Sequence, residues 1–467
     1  MRKVIVGVVT LGTVWVSACW GQQARPEPLS FDRANTEGFH LYGVSTTFSY
    51  SSFSLPPNIG QNSILEANSD MRSGVTGAVG WQRLHGRGNF TVNYTGSYNL
   101  DLRQSNLNSL NHNLMLGFNR TLGRKWSVDV VGYGQDLSIE QFIFQSPTLG
   151  AISQTPASFD DLAAAMSVGQ FTNTQSSLLL NSTAGGSPLT AVLLGSHVLS
   201  YSMQAGLSYA HSTRLSFRFG SVALGGQHRT GNNIPGFQQN YILPRTIGAD
   251  ASMSIHFSLS PRTQLDWGVS QNYMTSRYQK AAGTSATAGL GRKMARNWFL
   301  RAFAGAYINE NVQQTTGKPQ TRQMIGGGSV GFQTYGNTFL ASYNRTGYDL
   351  SGGGLGGTNM ITAAWNWRRP RNNWGINVSF SRTETNNPGF SNINGWQITA
   401  GISQRLKNNL LLDMDYTHVS SRGAYLALAN DVTINAVRIS LAWSPHFRQT
   451  STGRPVPEGR DQEEQSK

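Results

Sequence analysis

Histidine and serine two residues apart, His418-Val419-Ser420, form the pair in this chain best suited to nucleophilic chemistry. An imidazole acting as general base can take the hydroxyl proton, provided a third polar group orients the ring. Asn430 or Asp431 lies near enough along the chain to serve. A second set is charged rather than nucleophilic: Arg218, Arg301, Arg405 and Arg438, with Asp129, Asp250, Asp266, Asp413 and Asp415. Each alternates out of phase with apolar neighbours, so all are expected on a wetted wall, where charges cost little. Other chemistry finds less support. IGGGSVGF (325–332) and SGGGLGG (351–357) lack the Lys-Ser/Thr that completes a phosphate loop. His40, His112, His211 and His256 show no close ligand spacing, and there is one cysteine. Neither a metal nor a cofactor is expected.

The elements that must position these residues are strands. In FTVNYTGSYNL, Phe90, Val92, Tyr94, Tyr98 and Leu100 share one parity, while Thr91, Asn93, Thr95, Ser97 and Asn99 share the other. Successive side chains of a strand point to opposite faces, so one face is greasy and the other wet. The pattern recurs from Gly38 to Trp443 and defines eighteen strands, or sixteen if one weak hairpin is miscounted. The first is read as Tyr42/Val44/Phe48/Tyr50 and the last as Val437/Ile439/Leu441/Trp443. Connections alternate in length. Short turns such as HGRG, LGRK, SPRTQ and TYGN follow even-numbered strands, and mostly longer connections follow odd-numbered ones. Trp81, Trp126, Trp298, Trp367, Trp374 and Trp443 sit at strand ends beside the short turns, where an interfacial belt is expected. No later apolar run is long enough for a transmembrane helix. Only 13% of residues are charged, few for a soluble surface, and 52 glycines accompany many Ser, Thr and Asn. The fold class is all-β: a transmembrane, antiparallel up-and-down β-barrel.

Residues 1–21 read as a signal peptide, with Arg2 and Lys3 before an apolar stretch. Val16-Ser17-Ala18-Cys19 resembles a lipobox, which would make Cys19 a lipid anchor. Residues 22–37 form a short periplasmic segment, 38–444 the barrel and 445–467 a polar tail expected to be disordered in the periplasm. The formal charge of +14 is not gathered on one helix or stripe, so nucleic acid is not an expected partner.

The alternation, the loop asymmetry and the aromatic ends together resemble a Gram-negative outer-membrane barrel of porin type. The resemblance covers about 400 residues and rests on pattern rather than on a diagnostic motif. It implies an integral protein of the cell outer membrane with both termini periplasmic. It also implies contact with outer-membrane lipids and lipopolysaccharide, and assembly by the barrel-assembly machinery, which recognises an aromatic-ended last strand. The segment before the first strand leaves no room for the plug of a TonB-dependent receptor. Porins suggest a diffusion channel for small hydrophilic solutes and a homotrimer. They also suggest that the third external loop, 138–198, folds inward as a constriction lined by Asp160 and Asp161. Three alternatives stay open: an exporter of an anionic polysaccharide, a structural barrel, and a lipid hydrolase. Outer-membrane phospholipase and lipid A deacylase carry a His-x-Ser pair on the barrel exterior, similar to His418 and Ser420 with Asp431; Ser421 stands where they usually carry Asn.

Overall fold

A computed structural model of the chain describes residues 37–54, 69–103, 108–138, 197–230, 245–275, 279–295, 297–314, 320–334, 336–346, 355–369, 372–385, 393–407, 409–425 and 428–445. Eighteen strands run in chain order: β1 (Gly38–Ser54), β2 (Ser69–His85), β3 (Gly88–Asp101), β4 (Ser109–Leu122), β5 (Trp126–Ser138), β6 (His197–Ala210), β7 (Leu215–Thr230), β8 (Thr246–Ser260), β9 (Thr263–Thr275), β10 (Gln279–Lys293), β11 (Trp298–Gln314), β12 (Gln320–Thr334), β13 (Asn337–Thr346), β14 (Leu355–Arg368), β15 (Asn372–Thr385), β16 (Ile393–Lys407), β17 (Leu410–Tyr425) and β18 (Leu428–Trp443). Each pairs antiparallel with its neighbours, and β1 pairs with β18, so the single sheet closes into a barrel. Closure leaves no strand edge unpaired, the condition for crossing a bilayer with strands.

The two faces are the reverse of a soluble protein's. Phe48, Val75, Leu114, Ile376, Val378, Met414, Ile439 and Leu441 are exposed on the outside. Ser45, Ser252, Ser254, Thr399, Ser403 and Asp413 are buried on the inside. Water on the outside could not sustain that inversion; hydrocarbon does. Both described chain ends and eight short connections lie at one rim; the connections at the other are mostly longer, except those between β9 and β10 (276–278) and between β17 and β18 (426–427). At the short-turn rim the tryptophans pack on cross-strand aromatics: Trp126 with Tyr209 at 4.5 Å, Trp298 with Phe332 at 4.7 Å and Trp81 with Phe90 at 5.8 Å between ring centres. Such pairs fill the headgroup level with amphipathic rings.

β1 departs from the simple alternation. Pairing of β1 with β2 shifts register between Leu41 and Gly43, which reverses the phase of everything before it. Phe39 and Leu41 therefore face out with Val44, and Tyr42 turns inward, where its hydroxyl donates to Asn93 Oδ1 at 2.9 Å. The expectation that Tyr42 belongs to the apolar face is thus corrected. Residues 1–36 with Cys19, the 139–196 connection with Asp160 and Asp161, and the tail from 446 lie outside the described residues.

Candidate functional site: the charged arc of the inner wall

Most of the inward charges singled out from sequence gather near the short-turn rim. Asp129, Arg218, Asp266, Arg301, Asp413 and Asp415 lie soon after Trp126, Leu215, Thr263, Trp298 and Leu410, where their strands begin. Arg405, Arg438 and His256 lie shortly before Lys407, Trp443 and Ser260, where theirs end. Asp250, buried and also inward, stands apart toward the far rim of β8.

Around this level the basic and acidic groups meet in pairs. Arg438 Nε donates to Asp415 Oδ2 at 2.8 Å on the adjacent strand. Asp413, almost fully buried, stands between Ser403 and Ser440 in register. Two other pairs reach across a strand. Arg218 on β7 approaches Asp129 on β5 at 3.4 Å, and the residue of β6 opposite Asp129 is Gly206. A methyl group there would stand 2.6 Å from the carboxylate. Likewise Arg301 on β11 approaches Asp266 on β9 at 3.8 Å, with Gly289 of β10 opposite Asp266. Glycine is used here to clear a path between side chains two strands apart.

Asp266 has a further partner. Its Oδ1 lies 2.6 Å from His256 Nδ1, while His256 Nε2 lies 3.2 Å from Ser254 Oγ. The order Ser-His-Asp and these distances meet the geometric outline of a nucleophilic triad. Ser254, however, is only 1% exposed, so its hydroxyl is not presented to anything in the lumen. Here the serine orients the ring. Hairpin register placed His256 opposite Asp266 across the 261–262 turn, a signal the sequence reading passed over.

The remaining inner wall differs in kind. On β12, β13 and β14 as far as Asn366, the described inward side chains include Gln323, Ser329, Gln333, Thr338, Leu340, Ser342, Asn344, Thr362 and Asn366, with no charge among these described residues. Ser329, Ser342 and Thr362 are consecutive register partners, and the hydroxyls of the last two are hydrogen bonded. The inward row of β11 carries rings that sequence parity missed: Phe299, Phe303 and Tyr307, with the Arg301 guanidinium 5.8 Å from the Phe303 ring centre.

At the opposite rim buried polar contacts tie together the ends of β2, β3, β4 and β5. Arg72 holds Asp101 at 2.7 Å, and Asp70 Oδ1 accepts from the Met71 and Arg103 amides. The Ser138 amide, at the end of β5, donates to Asn111 Oδ1 at 2.6 Å, and Asn111 is 1% exposed. None of these residues was singled out from sequence, although Arg72 has inward parity.

His418 and Ser420 both lie on the outward face of β17. His418 Nδ1 engages Asn435 Oδ1 at 2.7 Å, and its ring packs 4.5 Å from that of Trp396. Among the described residues no hydrogen bond joins His418 to Ser420. The Asp431 side chain lies outside the described residues.

No family model matches the chain, and no curated protein matches it. Solved structures similar to it include OpdO of Pseudomonas aeruginosa (11% identical, 88% of this chain and 98% of that one, TM-score 0.44). A BenF-like porin from Pseudomonas fluorescens Pf-5 is 10% identical over 88% and 100% of the two chains, TM-score 0.44. OccAB4 of Acinetobacter baumannii is 9% identical over 87% and 98%, TM-score 0.43. The closed antiparallel barrel stands on its own strand pairing rather than on these likenesses.

Proposed function

We propose that the chain is an integral outer-membrane channel for passive diffusion of small hydrophilic solutes, with both termini on the periplasmic side. The observation that carries the reading is the matched charge on the inner wall. Arg218, Arg301 and Arg438 each approach a carboxylate, of Asp129, Asp266 and Asp415. Such pairs on a wet wall orient dipolar solutes without trapping either ion, because each carries a local field and little net charge. An exporter of a polyanion would instead need arginine to outnumber aspartate at this level. In this reading the connection between β5 and β6 narrows the mouth, as the third loop of porins does; the Ser138 amide that precedes it is held by Asn111 Oδ1.

Liposomes carrying the refolded full chain should swell in isosmotic arabinose and more slowly in larger oligosaccharides. Swelling no faster than empty liposomes would refute the channel. Deleting residues 158–171 should raise conductance if the third loop is the constriction; unchanged conductance would remove that part.

A further inference from the structure

The outward face near the long-connection rim carries a second organised row of charge. On five consecutive strands the register partners are Arg345 (β13), Asn359 (β14), Arg382 (β15), Asn394 (β16) and Arg422 (β17). All five have the parity of the apolar belt, so they face the bilayer side of the wall. Arg382, Asn394 and Arg422 are exposed. On β18 the register partner of Arg422 is Asp431. One step toward mid-membrane the partners are Tyr343, Ile361, Phe380 and Trp396, all exposed and large. The Tyr343 hydroxyl donates to Asn359 Oδ1 at 3.0 Å, tying the two rows together. Beside Arg345 and Tyr343 the outward positions of β12 are Gly326 and Gly328, which carry no side chain.

An arginine facing lipid costs roughly 2–4 kcal/mol at the bilayer midplane and about 0–1 near an interface. Three of them in one row, directly above an apolar row, mark the level where headgroups begin. Neighbouring strands are spaced about 4.8 Å apart, so successive arginines stand roughly 10 Å from one another. That spacing suits a headgroup bearing more than one phosphate, and guanidinium is the side chain that binds phosphate through two parallel hydrogen bonds. On β1 to β4 the outward positions toward the same rim are Tyr50, Met71, Leu100 and Leu110, so the basic row occupies one side of the barrel.

We propose that Arg345, Arg382 and Arg422 bind the phosphorylated headgroup of an outer-leaflet glycolipid, with Asn359 and Asn394 bonding to its sugar hydroxyls. The acyl chains then lie against Tyr343, Ile361, Phe380 and Trp396. The proposal rests on the outer-membrane reading, with the long connections facing outward.

The test uses the refolded full chain in zwitterionic detergent micelles and titrates in bisphosphorylated lipid A. Saturable binding is expected, weakened at least tenfold in the Arg345→Gln/Arg382→Gln/Arg422→Gln variant. Dephosphorylated lipid A should bind as weakly to the unaltered chain as lipid A binds to that variant. Arg292→Gln, outward but near the short-turn rim, should leave binding intact. No binding by the unaltered chain, equal binding by the triple variant, or equal binding of the dephosphorylated lipid would each overturn the proposal. So would inorganic phosphate at equal affinity, which would make the site one for a free anion. Conductance is recorded on the same samples. Lipid binding without current would sink the channel and keep this site; current without lipid binding would do the opposite.

Discussion

Two arcs of the inner wall solve the same packing problem with different chemistry. Around β5–β11 and β16–β18, arginine and aspartate pair at 2.8 to 3.8 Å, and glycines clear the strand between the wider pairs. On β12–β14 the described inward groups are mostly hydroxyls, amides and small apolar side chains, and Ser342 bonds to Thr362. A charged wall concentrates its field in a few side chains that must hold one another in place. A neutral wall spreads its hydrogen bonds over many weak contributors. The charged arc is therefore where single substitutions should be costly and where selectivity should reside.

The largest effect is expected from Asp415→Ala, which leaves Arg438 without its 2.8 Å partner in a pair whose carboxylate is nearly buried. Loss of a hydrogen bond to a charged group costs roughly 1.5–3 kcal/mol, read by guanidinium unfolding in detergent. Ser342→Ala on the neutral arc should cost under about 1.5 kcal/mol, and equal losses would erase the distinction between the arcs. Next comes a steric test inside the neutral arc. A methyl group at Gly327 would meet the Tyr343 carbonyl oxygen and the Phe303 ring, whereas one at Gly77 meets nothing within 4 Å. Gly327→Ala should therefore lose about 1–3 kcal/mol to overpacking, and Gly77→Ala about 0.5 or less.

Selectivity sharpens the comparison further. Converting Arg218, Arg301 and Arg438 to Gln strips the basic half of the pairs, and the cation-to-anion permeability ratio read from zero-current potentials should rise about fivefold, since a unit charge at 4 Å in water is worth roughly 1 kcal/mol. Ser329→Ala, Ser342→Ala and Thr362→Val together should leave the potential where it was. Equal shifts would mean that the charged arc does not set selectivity. The smallest effect belongs to His256→Ala. Asp266 keeps Arg301 at 3.8 Å, so stability should fall by about 1 kcal/mol, and ester hydrolysis should stay at the blank rate in both proteins. Hydrolysis by the unaltered chain that His256→Ala abolishes would make the Ser254–His256–Asp266 cluster an active site.

The barrel was legible because a period of two repeats on nearly every strand, and the loop asymmetry supplied the count independently. Phase is harder to read than period. Tyr42 was assigned outward because a register shift beside Gly43 leaves no mark in hydropathy. The inward rings of β11 were missed because Trp298, Phe299, Leu300 and Phe303 are apolar at both parities. IGGGSVGF lacks the Lys-Ser/Thr of a phosphate loop, and in the barrel its Gly327 leaves room for the Phe303 ring and the Tyr343 carbonyl. The inward parity of the charges could be read residue by residue. Their pairing could not, because it depends on which strands lie one or two apart and on where glycine opens the gap. The outward arginine row hides for a related reason: its members are scattered in sequence and align only through cross-strand register.

The most direct test of the channel is single-channel recording from the refolded full chain in planar bilayers. Stable, ohmic steps with weak ion selectivity are expected from a lumen whose charges are matched in pairs. Bilayers that have taken up the folded barrel and carry no current would contradict the account.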